Sequence, residues 1–173
     1  MIHGLVTEAK AYRPFDPKTS KGLYLSVVPD AEGTALLKSW AELLGLRMTS
    51  TDVSELHCTV IYSKTVPEDI GDRRPDPSIV YKAQAQGVEW WPGHDDAGYC
   101  VLRVRCPALV ELNAEWVGYG CTRTFGTYLP HITLKKDVGP MPKDFFIRRA
   151  HLNRELGTFL TLGNATVEAL KVK

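Results

Sequence analysis

Short apolar runs separated by polar loops set out the chain, and the spacing inside each run says which element it forms. Gly22 to Val28 is a strand-like run that Pro29 ends. Beyond Asp30, Leu36, Leu37, Trp40, Leu43 and Leu44 recur at helical spacing, with Gly45 as the stop. A polar loop over Thr49 to Ser54 leads to a second strand, Leu56 to Tyr62. Prolines 67, 75 and 77 with Gly71, Arg73 and Arg74 mark an exposed loop. Ile79 to Trp91 and Tyr99 to Cys106 then read as a hairpin around a turn over residues 92–98. Pro107 suits the first turn of a helix whose buried stripe is Leu109, Leu112, Trp116 and Val117. Tyr128 to Leu134 is the next strand, and the tail offers two or three more strands among the runs Phe145 to Leu152, Thr158 to Leu162 and Thr166 to Val172. This order predicts an α+β fold with helices packed outside mainly antiparallel sheets.

Two of the strands echo each other. Leu56-His57-Cys58-Thr59-Val60 and Pro130-His131-Ile132-Thr133-Leu134 each carry His and Thr two positions apart. Side chains alternate faces along a strand, so His57 and Thr59 share one face, and His131 and Thr133 share another. A lone His on a strand is usually a structural residue. Two in the same His-x-Thr context point instead to one polar site with approximate twofold symmetry.

That pair has a chemical use. Cleaving a phosphodiester needs a base for the incoming oxygen and an acid for the departing one, and imidazole can serve as either near neutral pH. Threonine hydroxyls beside each ring can hold the non-bridging phosphate oxygens. No metal or other cofactor is expected, since no carboxylate or second histidine stands at ligand spacing from these residues.

Composition narrows the partners. At 173 residues the chain is large enough for one domain with a real core, and 44% apolar with 24% charged residues is an ordinary soluble balance. The net charge of +1 provides no global field for a long nucleic acid. Cys58, Cys100, Cys106 and Cys121 form no Cys-x-x-Cys pair, so they read as small hydrophobes in a reducing cytoplasm. The first residues lack a secretory pattern, and no apolar run reaches the ~20 residues of a membrane span. Lys135-Lys136 are ambiguous between phosphate attraction and solvation, Arg103 and Arg105 between lining a groove and facing water, and His94-Asp95-Asp96 reads as a polar turn.

The two motifs together resemble the 2H phosphoesterase superfamily, and most closely its phage anti-CBASS cyclic oligonucleotide phosphodiesterases. The resemblance extends in order through Gly22-Leu23-Tyr24, Leu56 to Ser63, Val88-Glu89-Trp90-Trp91, Pro130 to Leu134 and Val138-Gly139-Pro140. It implies a single bilobal domain over residues 1–173, with residues 1–21 as an extension, two sheets and a central cleft. It further implies that His57, Thr59, His131 and Thr133 cleave 3'–5' bonds of cyclic di- or trinucleotides, blocking CBASS signalling in the cytoplasm of an infected bacterium. His57 is placed as base and His131 as acid, with the reverse left open by the symmetry. Tyr24 and Trp91 are implied to sandwich nucleobases, Tyr128 to line the cleft, and Glu155 to read a base edge. A second enzyme of the superfamily, opening 2',3'-cyclic phosphates at RNA ends, and a non-catalytic nucleotide sponge are the alternatives. Oligomeric state and preference among cyclic nucleotides are not legible.

Overall fold

The computed structural model describes residues 15–93, 98–123, 126–136, 139, 141–154 and 156–170. Among them are six strands and four α-helices, confirming the α+β class. Strand β1 (Leu23–Pro29) runs into helix α1 (Ala31–Leu43), where the Asp30 carboxylate caps the first turn by accepting from the Gly33 N–H at 2.7 Å. The predicted stop holds: Gly45, just past the helix, adopts φ +78°, a conformation glycine takes without steric cost. The polar loop ahead of the first motif contains a short helix, α2 (Ser50–Ser54), closed by a reciprocal capping box between Thr49 and Asp52. Strand β2 is Cys58–Ser63; strands β3 (Tyr81–Pro92) and β4 (Gly98–Arg105) form the expected hairpin. Helix α3 (Pro107–Gly118) starts on Pro107 and buries Leu109 and Trp116. Strand β5 is His131–Lys135.

The tail departs from expectation. Phe145–Leu152 is a helix, α4, not a strand. Its buried residues are Phe145 and Leu152, seven apart and hence on one helical face, while Phe146 and Ile147 are 56% and 65% exposed. Those exposed apolar residues imitate a strand in the sequence. The last two predicted strands are one, β6 (Phe159–Ala169). Gly163-Asn164 lies where the β1–β6 register shifts, and Asn164 takes φ +48°, so the apparent break is an irregularity inside a continuous strand.

All six strands join in one closed sheet, in the order β1-β2-β5-β4-β3-β6 and back to β1, each neighbouring pair antiparallel. The expected two sheets are therefore not separate. β6-β1-β2 and β3-β4-β5 would each make a three-stranded sheet, but β2 bonds to β5 and β3 to β6. The β2–β5 seam is slight, a single residue pair, Cys58 with Ile132.

That pair sets the register of the whole site. A row of directly paired residues crosses five strands: Val27, Cys58, Ile132, Leu102 and Val88. Every one is at most 1% exposed. They join the core with Leu37 and Trp40 of α1 and Leu109 and Trp116 of α3. Burying each such side chain contributes about 1.5–3 kcal/mol, and a one-residue slip on any strand would turn its member outward. The residues on either side of this row must consequently face the opposite way. All four cysteines are buried free thiols, where apolar context predicts burial for three. None of the helices among the described residues is long and apolar enough to cross a membrane.

Candidate functional site

Pairing Cys58 with Ile132 antiparallel places His57 beside the position of Thr133, and Thr59 beside that of His131. Four side chains from two distant segments thus form a square on one face, with cross-strand Cβ separations of about 4.5–5.5 Å. Both diagonals join unlike halves of the sequence. The two rings are close enough that the His131 charge bears on His57.

Each imidazole is held in the same way. Nδ1 of His57 bonds the Glu55 carbonyl, and Nδ1 of His131 bonds the Leu129 carbonyl at 2.8 Å, in both cases two residues back along the chain. A carbonyl only accepts, so Nδ1 carries the proton and Nε2 presents its lone pair. Glu55 caps the C-terminus of α2, so that short helix orients the first ring. Lys135 of β5 ties α2 down by pairing with Asp52 at 2.9 Å and donating to the Arg47 carbonyl. Of the two lysines after the second motif, Lys135 is therefore a strut, while Lys136 lines the cavity beside His57.

The electrostatics of the two rings differ. Burial, then the charges of Lys136 and His131, lowers His57 to about 4. Burial also lowers His131, with Arg103 acting in the same direction, but its bond to the Leu129 carbonyl and the Glu89 carboxylate oppose the shift. The unliganded site therefore disfavours a proton most strongly on His57. A bound phosphate anion would raise both groups.

Tyr24 and Trp91 flank the square from opposite halves. The Tyr24 ring meets His57 edge-on at 5.7 Å, and its hydroxyl shares a 2.6 Å hydrogen bond with Thr59 Oγ1. The Trp91 ring lies 4.5 Å from that of His131, tilted by 56°. Trp91 Nε1 donates to Glu89 at 2.7 Å. Sequence reasoning did not single out Glu89, although it stands two residues before Trp91 and so shares its face. Tyr128, implied to line the cleft, is partly buried against the core. Its hydroxyl donates to the Thr59 carbonyl at 2.9 Å and lies 3.7 Å from the buried Cys58 thiol, so it braces β2 from the core side. Glu155 and the His94-Asp95-Asp96 turn lie outside the described residues.

A cavity of about 500 Å³ opens beside His57, lined by Tyr24, Ser26, Lys136, Asn164, Thr166 and Glu168 among others. This lining combines apolar side chains such as Val28 and Leu170 and an aromatic wall with hydrogen-bonding groups of both kinds, which suits a nucleoside. A second hollow of about 530 Å³, bounded by Leu43, Arg148, His151 and Leu152, shares no residue with the site. Among the described residues no three His, Cys, Asp or Glu side chains gather where they could hold a metal ion.

Two comparisons bear on this geometry. The family model described as anti-CBASS protein Acb1 matches residues 21–158, a stretch that includes both His-x-Thr motifs. Among curated proteins, the anti-CBASS protein Acb1 of Vibrio phage KVP40 is 29% identical over 124 residues, covering 70% of this chain and 78% of that protein.

Proposed function

The chain belongs to the anti-CBASS protein Acb1 family, and on that premise we propose that it blocks CBASS signalling by hydrolysing 3'–5' bonds in cyclic di- or trinucleotides. On this reading it is a 2H phosphoesterase working without a metal ion, in the cytoplasm of an infected bacterium. The three-strand groups β6-β1-β2 and β3-β4-β5 are its two lobes, and the face where β2 meets β5 is the floor of the cleft.

The observation that carries the reading is the square of His57, Thr59, Thr133 and His131, with both rings held through Nδ1. A phosphodiester set over the square meets an Nε2 from each half and a hydroxyl beside each. His57 is the base, since burial and Lys136 keep it unprotonated. His131 is the acid, because the Leu129 carbonyl and then Glu89 counter the lowering by burial and Arg103, which leaves it less strongly depressed than His57. His57 takes the proton of the ribose 2'-hydroxyl as that oxygen bonds to phosphorus. The bond from phosphorus to the 5'-oxygen breaks, and His131 supplies the proton to the departing oxygen. Water then opens the resulting 2',3'-cyclic phosphate with the roles of the rings exchanged, leaving a linear product with a phosphate at its 3' side. The Thr59 and Thr133 hydroxyls stabilise the non-bridging oxygens. Tyr24 and Trp91 stack on nucleobases, a contact worth about 1–3 kcal/mol per base.

The test is a panel of cyclic di- and trinucleotides and an RNA with a 2',3'-cyclic end, incubated in chelator. Linearisation of the cyclic nucleotides, with a 2'-deoxy analogue left intact, is the expected result. Turnover confined to the RNA end would move the protein to the other enzymatic activity, and tight binding without product would make it a sponge.

A further inference from the structure

The antiparallel register that builds the square extends to β4 and β3. Arg103 pairs directly with His131, and Gly87 pairs directly with Arg103. Directly paired residues share a face, so the Arg103 side chain stands in the same row as His131 and Thr59. Its guanidinium is poorly supplied with partners. The Nε is buried and lacks any hydrogen-bond partner among the described residues. Nη1 is 3.4 Å from Glu89 Oε1, longer than the 2.7–2.9 Å usual for a charge-assisted bond. Glu89 spends its short bond on Trp91 instead. A buried donor without a partner costs about 1–3 kcal/mol and calls for an explanation.

Gly87 supplies a second, independent observation. A Cβ built there meets nothing within 4 Å, so the position next to Arg103 is open space. A guanidinium with an unmet donor, an adjacent gap and a neighbouring imidazole together describe a half-built anion site. Phosphate fits it, since the planar donor fork of arginine matches two oxygens at once.

We infer that Arg103 is a substrate-binding residue, its guanidinium taking a phosphate oxygen of the bound nucleotide in the space that Gly87 leaves on the side of Arg103 away from His131. The inference rests on the proposed phosphoester substrate for its biological meaning, but not for its test. In the ligand-free protein Glu89 holds the guanidinium loosely in place. When phosphate arrives, the Nε–H gains its missing acceptor.

Two measurements decide it. In the first, the Arg103 Nε–H resonance, identified by its absence from Arg103→Gln, is followed by NMR while inorganic orthophosphate is added. A saturable shift at millimolar phosphate is expected in the parent. Loss of that shift is expected in Gly87→Leu, which keeps the guanidinium and fills the gap. An unmoved resonance in the parent, or an equal shift in Gly87→Leu, overturns the inference. In the second, Arg103→Gln and Gly87→Leu should each lower kcat/KM for linearising a cyclic dinucleotide roughly tenfold, mainly through KM, as loss of one charge-assisted bond implies. Thermal melting of both variants checks that they are folded, and parental KM in the two folded variants overturns the inference. A chain that binds phosphate at Arg103 yet linearises nothing keeps this inference and loses the phosphodiesterase reading. A chain that linearises cyclic nucleotides while both variants behave as parent does the reverse.

Discussion

At the scale of single residues, the two imidazoles illustrate what alternation reveals and what it hides. That His57 and Thr59, or His131 and Thr133, share a face follows from strand geometry and was legible in the sequence. The carbonyls that fix each tautomer were not, because they depend on the turn of backbone just before each ring. Nor was the turning of Tyr128 toward the core, where its hydroxyl serves Cys58 and the Thr59 carbonyl. The burial of His57 has a measurable consequence. With the folded value lowered to about 4 against 6.5 when exposed, the unfolded chain binds the extra proton first as pH falls. Stability should therefore decline between about pH 6.5 and 4, this one group contributing up to about 3 kcal/mol across the window. Denaturant unfolding at a series of pH values would show it, and His57→Gln should flatten that portion of the curve. An unchanged slope in the variant would mean that the ring is not held neutral by burial.

At the scale of elements, β1, α1, the β3–β4 hairpin and α3 were legible because their periodicities agree with their caps and turns. Helix α4 was not, since exposed Phe146 and Ile147 next to Phe145 write a strand-like run onto a helix. Helix α2 was hidden by its polarity: five residues with none buried leave no periodic signal. Yet α2 carries the Glu55 carbonyl, so its anchorage bears on the proposed catalysis. Burial tends to raise the Asp52 carboxyl, but bonds from Thr49 and Lys135 outweigh it and hold the group below its ordinary value. The anchorage is therefore complete above the usual carboxylate range near pH 4 and is lost as pH falls through the lowered value. Lys135→Met should cost about 1.5–3 kcal/mol in a thermal melt, as loss of a part-buried hydrogen bond between charged groups does, while lowering kcat severalfold by loosening the carbonyl behind His57. A variant with parental kcat would show that α2 holds its place unaided.

At the scale of the whole molecule, the sequence placed two matching motifs in two halves but did not reveal that the halves share one sheet. Long-range pairing such as Cys58 with Ile132 leaves no local pattern, so closure of the barrel was invisible. It is also what brings the motifs together, through a row of fully buried residues that forbids slippage. Ile132→Ala should accordingly cost about 2–5 kcal/mol by equilibrium unfolding. A loss under 1 kcal/mol would remove Ile132 as the pin of the register. The central claim is that His57 and His131, one from each half, act on a single phosphorus as one unit. Its most direct test is the kcat of His57→Ala, His131→Ala and the double variant on the same cyclic nucleotide. Each single change should lower kcat by about 10²–10⁴, and the double variant should be scarcely worse than either, because the two groups fail together. Losses that multiply, or a single variant with parental kcat, would contradict it.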